Sequence, residues 1–168
     1  MAGLTAPPDN ADPIAGQVIE ADGWFPGIDT AHIRDTIRLG DGAVTEARLA
    51  EAVLAGMLAG LKEMAAWRSA RAVEGHASLG TVTDLQLAGQ NMAVLLWRRI
   101  VSFFAAAELV DGHTDVAATD DALDREEEKA STADRYRRKA YEAVADLRAL
   151  GLPADAPEPH GRNRVSLL

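Results

Sequence analysis

Chemistry in a chain of this kind would have to come from its histidines, its carboxylates or its basic clusters. A helical metal site sets imidazoles and carboxylates a helical turn apart. The four histidines, His32, His76, His113 and His160, lie far apart, and none has a His or carboxylate four residues away. There is no cysteine, so disulfides and thiolate metal sites are excluded. Gly40, Gly42 and Gly56 do not have the spacing of a phosphate-cradling loop, and no serine sits in a nucleophile turn. Nothing here calls for catalysis, and no metal or cofactor is expected.

Two charged clusters remain. The run from Asp120 to Glu128 could collect a cation, but carboxylates at mixed spacing on a helix form a solvated face, and Asp124, Glu127 and Glu128 are placed there. Arg135, Arg137, Arg138 and Lys139 could grip phosphate; pairing with the preceding acids or with a neighbouring subunit is the simpler reading. The overall balance decides against nucleic acid. The net charge is -9, with nine acidic and three basic residues in 1–60 and ten and seven in 114–150. Phosphate affinity depends on Lys and Arg neutralisation, so the chain is a poor sequence-reading DNA binder, though it suits a wall that DNA passes without sticking.

A third feature concerns packing. Ala52, Gly56 and Gly60 form a ridge of small residues inside a helical pattern. Glycine costs roughly 1 kcal/mol relative to alanine there, so the ridge predicts close approach of another helix, from the same subunit or the next.

The elements that must position these groups are helical. Residues 1–22, with Pro7, Pro8 and Pro13, read as a flexible arm in which Val18 and Ile19 offer an extended anchor. Trp24 and Phe25 precede Pro26 and Gly27, a turn signal, and Asp29 caps a short helix to about Leu39, ended by Gly40, Asp41 and Gly42. Thr45 caps a long helix to Val73, with Leu49, Val53, Met57, Leu61, Met64 and Trp67 as its core stripe. Gly75 to Gly89 reads as a loop holding a weak helical turn.

The next helix, about Gln90 to Asp111, is apolar on nearly every side, which predicts either a central bundle helix or a subunit interface. A last helix runs from Thr119 or Asp120 to about Leu150, with Ala133, Ala140, Tyr141, Val144 and Leu147 buried. Ser131 and Asp134 resemble a capping box and suggest a break. The expectation is all-α: about four helices, two long and central and one long and C-terminal, with extended arms at both ends. The helical domain is assigned to 23–151 and a C-terminal tail to 152–168. The stretch Met92 to Val110 is interrupted by Arg98 and Arg99, and the acidic start lacks a signal core, so no membrane segment is expected.

The order of features resembles the phage head completion family of contractile-tailed phages. It is carried by Trp24-Phe25-Pro26-Gly27-Ile28-Asp29, Val44-Thr45-Glu46-Ala47-Arg48-Leu49, Ala66-Trp67-Arg68, Gly75 to Leu79 and Trp97-Arg98-Arg99. Ala107-Glu108-Leu109, Ala118-Thr119-Asp120, Ser131-Thr132-Ala133-Asp134 and Ala143-Val144-Ala145-Asp146-Leu147 continue it, over roughly residues 17–150.

The resemblance implies a non-enzymatic connector assembled in the host cytoplasm and sited at the head–tail neck of the virion. It would join the portal protein after DNA packaging, retain the genome and prepare the head for tail attachment. Its partners would be the portal, neighbouring copies in a twelvefold ring, a tail-proximal neck or tail-completion protein, and genomic DNA passing without sequence-specific contact. On this reading Asp124, Glu127 and Glu128 face the channel. Beyond the stretch that carries the resemblance, the tail, where Arg162, Arg164, Val165, Leu167 and Leu168 follow Pro153, Pro157, Pro159 and Gly161, reads as a portal-binding added strand, with a solvated tail as the alternative. The competing reading is a helical DNA-packaging or DNA-binding accessory protein.

Overall fold

The computed structural model describes residues 16–37, 44–112 and 120–150, with side chains from Ala130 onward in the last segment. The termination of the first helix at Gly40 to Gly42, His113 and His160, the side chains of Asp124, Glu127 and Glu128, and the whole tail from Gly151 lie outside the described residues. Among the described residues four α-helices carry the fold: α1 (Thr30–Thr36), α2 (Glu46–Val73), α3 (Met92–Asp111) and α4 (Asp120–Ala149). Two short antiparallel ribbons accompany them. β1 (Val18–Ile19) pairs with β2 (Ile28–Asp29), and β3 (Gln86–Leu87) pairs with β4 (Gln90–Asn91).

The helix starts are local chemistry. Asp29 accepts from the Ala31 amide at 2.9 Å, and Thr45 accepts from the Arg48 amide at 3.4 Å. Asn91 caps α3 with its amide oxygen, accepting from Ala93 and Val94, while its amide nitrogen donates to the carbonyls of Gly80 and Thr83. One side chain thus fixes both the helix start and the loop before it, where the weak helical turn is a 3-10 turn at Leu79–Thr81. At the end of α2, His76 N–H reaches the Arg71 carbonyl and Gly75 N–H that of Ala72, with Gly75 at φ 97°, a Schellman stop. Helix α1 is shorter than expected: it ends at Thr36, and Ile37 turns into extended backbone to bury its side chain. Helix α4 runs unbroken through Ser131, and Asp134 accepts from Arg137 at 2.9 Å instead of capping a new helix.

α3 is the central element. It runs antiparallel to α2, with Gly56 against Val101 and Ala105, and Gly60 against Trp97 and Ile100. It also runs antiparallel to α4, where Phe103 stacks on Tyr136 and Phe104 meets Tyr141 edge-on. Most of its apolar circumference is therefore covered within the chain. Leu147 and Val144 of α4 are buried against this layer, and full burial of such a side chain contributes roughly 1.5–3 kcal/mol. Tyr141 corrects its expectation: it is 52% exposed and meets Phe104 in a T-shaped ring contact.

Trp24 and Phe25 act as an aromatic plug over the end of the α2–α3 pair. Phe25 packs on Trp97 and Trp24 on Trp67, while Trp97 Nε1 donates to the Pro26 carbonyl and Trp24 Nε1 to that of His76. Asp22 receives the amides of both Trp24 and Phe25. The N-terminal ribbon is anchored too. Thr30 Oγ1 accepts from Gln17 N–H and donates to Glu46 at 2.5 Å, and Arg34 holds the other Glu46 oxygen at 2.8 Å. Burial pushes the Glu46 carboxyl up, but the hydrogen bonds from Thr30 and Arg34 and the Arg34 charge outweigh it and hold its pKa below the usual value.

Candidate interaction surfaces

The small-residue ridge lies inside the chain. A Cβ on Gly56 would stand 2.7 Å from the Val101 carbonyl oxygen and 2.9 Å from the Ala105 amide nitrogen. One on Gly60 would stand 2.9 Å from the Trp97 ring. Ala52 is buried on the same side of α2. Backbone-to-backbone approach of α2 and α3 is what glycine permits here, and these positions are unavailable to a partner.

The opposite side of α2 is a different matter. Leu54 is 42% and Leu58 70% exposed, and Ala65 and Ala66 are exposed as well. A helix normally shows solvent a polar face, so α2 carries an apolar stripe that no described residue covers. Glu51 and Lys62 border it, and neither has an ion-pair partner among the described residues.

A groove of about 570 Å³ opens on the other side of α3. α1 contributes His32 and Thr36, with Ile37 just beyond; the β3–β4 ribbon contributes Leu87 and Gln90; α4 contributes Asp146. Its floor is the α3 stripe Met92, Leu95, Leu96, Ser102 and Phe103, with Arg98 and Arg99 along it. Leu87 is 61% exposed at the groove edge. Arg98 donates to Gln90 Oε1, whereas Arg99 has no ion pair among the described residues and rests over the Phe103 ring at 5.0 Å.

The basic cluster divides. Arg137 is engaged by Asp134 and Asp111 and so ties α4 to the end of α3. Arg135 donates to Thr132, and Lys139 lies over Phe103 at 5.5 Å, on the ring that Arg99 also contacts. Arg148 binds Glu63 and closes α4 onto α2. Most of the cluster's chemistry is thus internal fastening. Among the described residues no group of three or more His, Cys, Asp or Glu could hold a metal, and no helix is long and apolar enough to cross a membrane.

Sequence reasoning missed the groove and the α2 stripe. The groove is built from four separate elements and has no local signature. The stripe did have one, since Leu54 and Leu58 fall outside the inner apolar series of α2.

The family model described as Phage head completion protein (GPL) matches residues 19–151. A head completion/stabilization protein of Escherichia phage P2 is 29% identical over 130 residues, covering 77% of this chain and 76% of the relative. No solved structure gives a significant match. The chain belongs to the phage head completion protein family, a structural family whose work is phage head assembly.

Proposed function

We propose that this member of the phage head completion family acts at the portal vertex, binding the portal protein after DNA packaging and retaining the genome. There it presents the platform on which a tail-proximal neck or tail-completion protein docks. The observation that carries the proposal is the family match across 19–151, which takes in every helix of the body. In this proposal copies of the chain stand side by side in a ring of twelve beneath the portal. The acidic first half of α4, with Asp124, Glu127 and Glu128, faces the channel, where like charge keeps the DNA backbone moving. The tail residues Arg162, Arg164, Val165, Leu167 and Leu168 provide the portal contact, their backbone adding to a sheet edge.

Ring growth on a template raises the effective concentration of neighbours, so the purified protein should stay monomeric or weakly associated at micromolar concentration. The test is co-sedimentation of purified protein with DNA-filled, portal-bearing heads and with empty shells assembled without the portal, followed by nuclease challenge of the filled heads. Binding confined to portal-bearing heads, with the packaged DNA protected, is the expected result. Deleting residues 160–168 should leave helicity intact and weaken that binding at least tenfold, about 1.4 kcal/mol. Equal binding to heads without portals would overturn the proposal, and undiminished binding by the truncated protein would move the portal contact onto the helical body. Binding to naked DNA at physiological salt would favour the packaging-accessory reading instead.

A further inference from the structure

We infer that the outer stripe of α2 in one copy docks into the α3 groove of the next, and that this contact is the repeating interface of the assembly. The inference rests on the ring reading above and supplies the surfaces for it. A ring requires two different surfaces on each chain, facing opposite ways, because head-to-tail contacts close only when each copy offers one face and receives on another.

This chain has such a pair. On α3 the residues against the α2 glycines are Trp97, Ile100, Val101 and Ala105. The groove floor, with Leu95, Arg99 and Phe103, lies about half a turn around the same helix at 3.6 residues per turn. On α2, Leu54, Leu58 and Ala65 likewise stand about half a turn from Gly56 and Gly60. The stripe and the groove therefore face away from each other across the α2–α3 layer.

Size, shape and charge agree with that pairing. The stripe from Leu54 to Ala65 and the floor from Met92 to Phe103 each cover eleven residue steps, roughly 16 Å at 1.5 Å per residue. A helix presenting apolar residues at i, i+4 and i+11 into an apolar groove is an established recognition mode. Glu51 borders the stripe and Arg99 lies on the groove floor, and neither has an ion-pair partner among the described residues. Docking brings groups of opposite charge to the same seam. A twofold contact of stripe on stripe would instead set Glu51 against its own equivalent or leave the groove empty.

The chain's lack of cysteine makes the test clean. Two single variants, Leu58→Cys and Leu87→Cys, are both at exposed positions, so folding is unaffected. They are mixed with portal-bearing heads, and separately at several hundred micromolar without heads, and treated with a short bismaleimide. The expected result is a mixed covalent dimer at least tenfold more abundant than either same-site dimer, and a ladder of higher species from the double variant. Glu51→Arg in the Leu58→Cys copy should lower the mixed dimer about tenfold, and Arg99→Glu in the Leu87→Cys copy should restore it.

If copies assemble on the heads but the mixed dimer does not exceed the same-site dimers, this interface is wrong and the ring reading stands. A dominant Leu58–Leu58 dimer would replace it with a twofold contact. If sedimentation finds only isolated copies on the portal, the ring reading itself fails and this inference with it.

Discussion

Replacing Gly56 by alanine sets two effects of opposite sign against each other. Inside a long helix the change gains up to about 1 kcal/mol of helix propensity. Against this, the new Cβ would lie 2.7 Å from the Val101 carbonyl oxygen and 2.9 Å from the Ala105 amide nitrogen, where ordinary contact begins at 3.4 Å. Both obstacles are backbone, so relief requires α2 and α3 to separate, and overpacking of this kind costs typically about 1–3 kcal/mol. The net expectation is a loss of about 0–2 kcal/mol, lowering Tm by a few degrees at about 2–4 °C per kcal/mol for a chain of this size.

Gly60→Ala should lose less, because its obstacles, Trp97 Cζ3 at 2.9 Å and Ile100 Cγ2 at 3.1 Å, are side chains that can shift. Gly56→Leu should lose about 3 kcal/mol or more, since nothing flexible stands in its way. Thermal and urea denaturation followed by far-UV circular dichroism, repeated over a tenfold concentration range, would rank the three. A rise of about 3 °C for Gly56→Ala would show propensity acting unopposed and refute the close packing. An unchanged monomer Tm with failed assembly would place the ridge between copies.

Three further outcomes can be stated. Glu46 has a depressed carboxyl pKa in the folded state, so its contribution is fully present above the ordinary value of about 4.3 and is lost as pH falls through the folded value. Glu46→Gln should therefore lower the urea midpoint at pH 7 and flatten its decline below about pH 4.5. Ala88 is held at φ 52° beside Gly89 at φ 73° in the β3–β4 turn, and left-handed backbone costs an ordinary residue about 1–2 kcal/mol. Ala88→Asn should raise stability by about 0.5–1 kcal/mol, measured as the denaturation midpoint. Reversing Asp124, Glu127 and Glu128 to lysine should leave helicity unchanged and stability within about 0.5 kcal/mol of the parent while slowing genome ejection from completed particles; unfolding would show that this half of α4 is packed.

The helices were legible because their punctuation is local. Asp29 and Thr45 announce helix starts and Gly75 a stop, each through a hydrogen bond or a backbone angle contained within a few residues. Of the ribbons only Val18 and Ile19 were legible, as an extended anchor; their partner strand and the second ribbon were not, since two-residue strands carry no alternation to detect. The Thr30–Glu46–Arg34 network was equally silent: its members are 12 and 16 residues apart and meet only once α1 folds back onto the start of α2. Trp24 and Phe25 read only as residues preceding a turn signal at Pro26–Gly27, whereas the chain bends at 22–25, and their role as a plug depends on Trp67 and Trp97, which tertiary packing alone brings to them.

The location of the surplus apolar surface was the most consequential thing the pattern obscured. α3 is apolar almost all round, which marks a helix buried on several sides. In the folded chain α2, α4 and the aromatic plug cover most of that circumference, with Trp97, Ile100 and Val101 fully buried. What α3 leaves over is the groove floor. The inner stripe of α2 is regular, but Leu54 and Leu58 stand outside it and remain exposed. An apolar side chain on a helix indicates a partner only after the chain's own elements have been subtracted. That subtraction needs the tertiary structure, and here it moves the assembly signal from the most apolar helix alone to the pair formed by its uncovered side and the outer face of its neighbour.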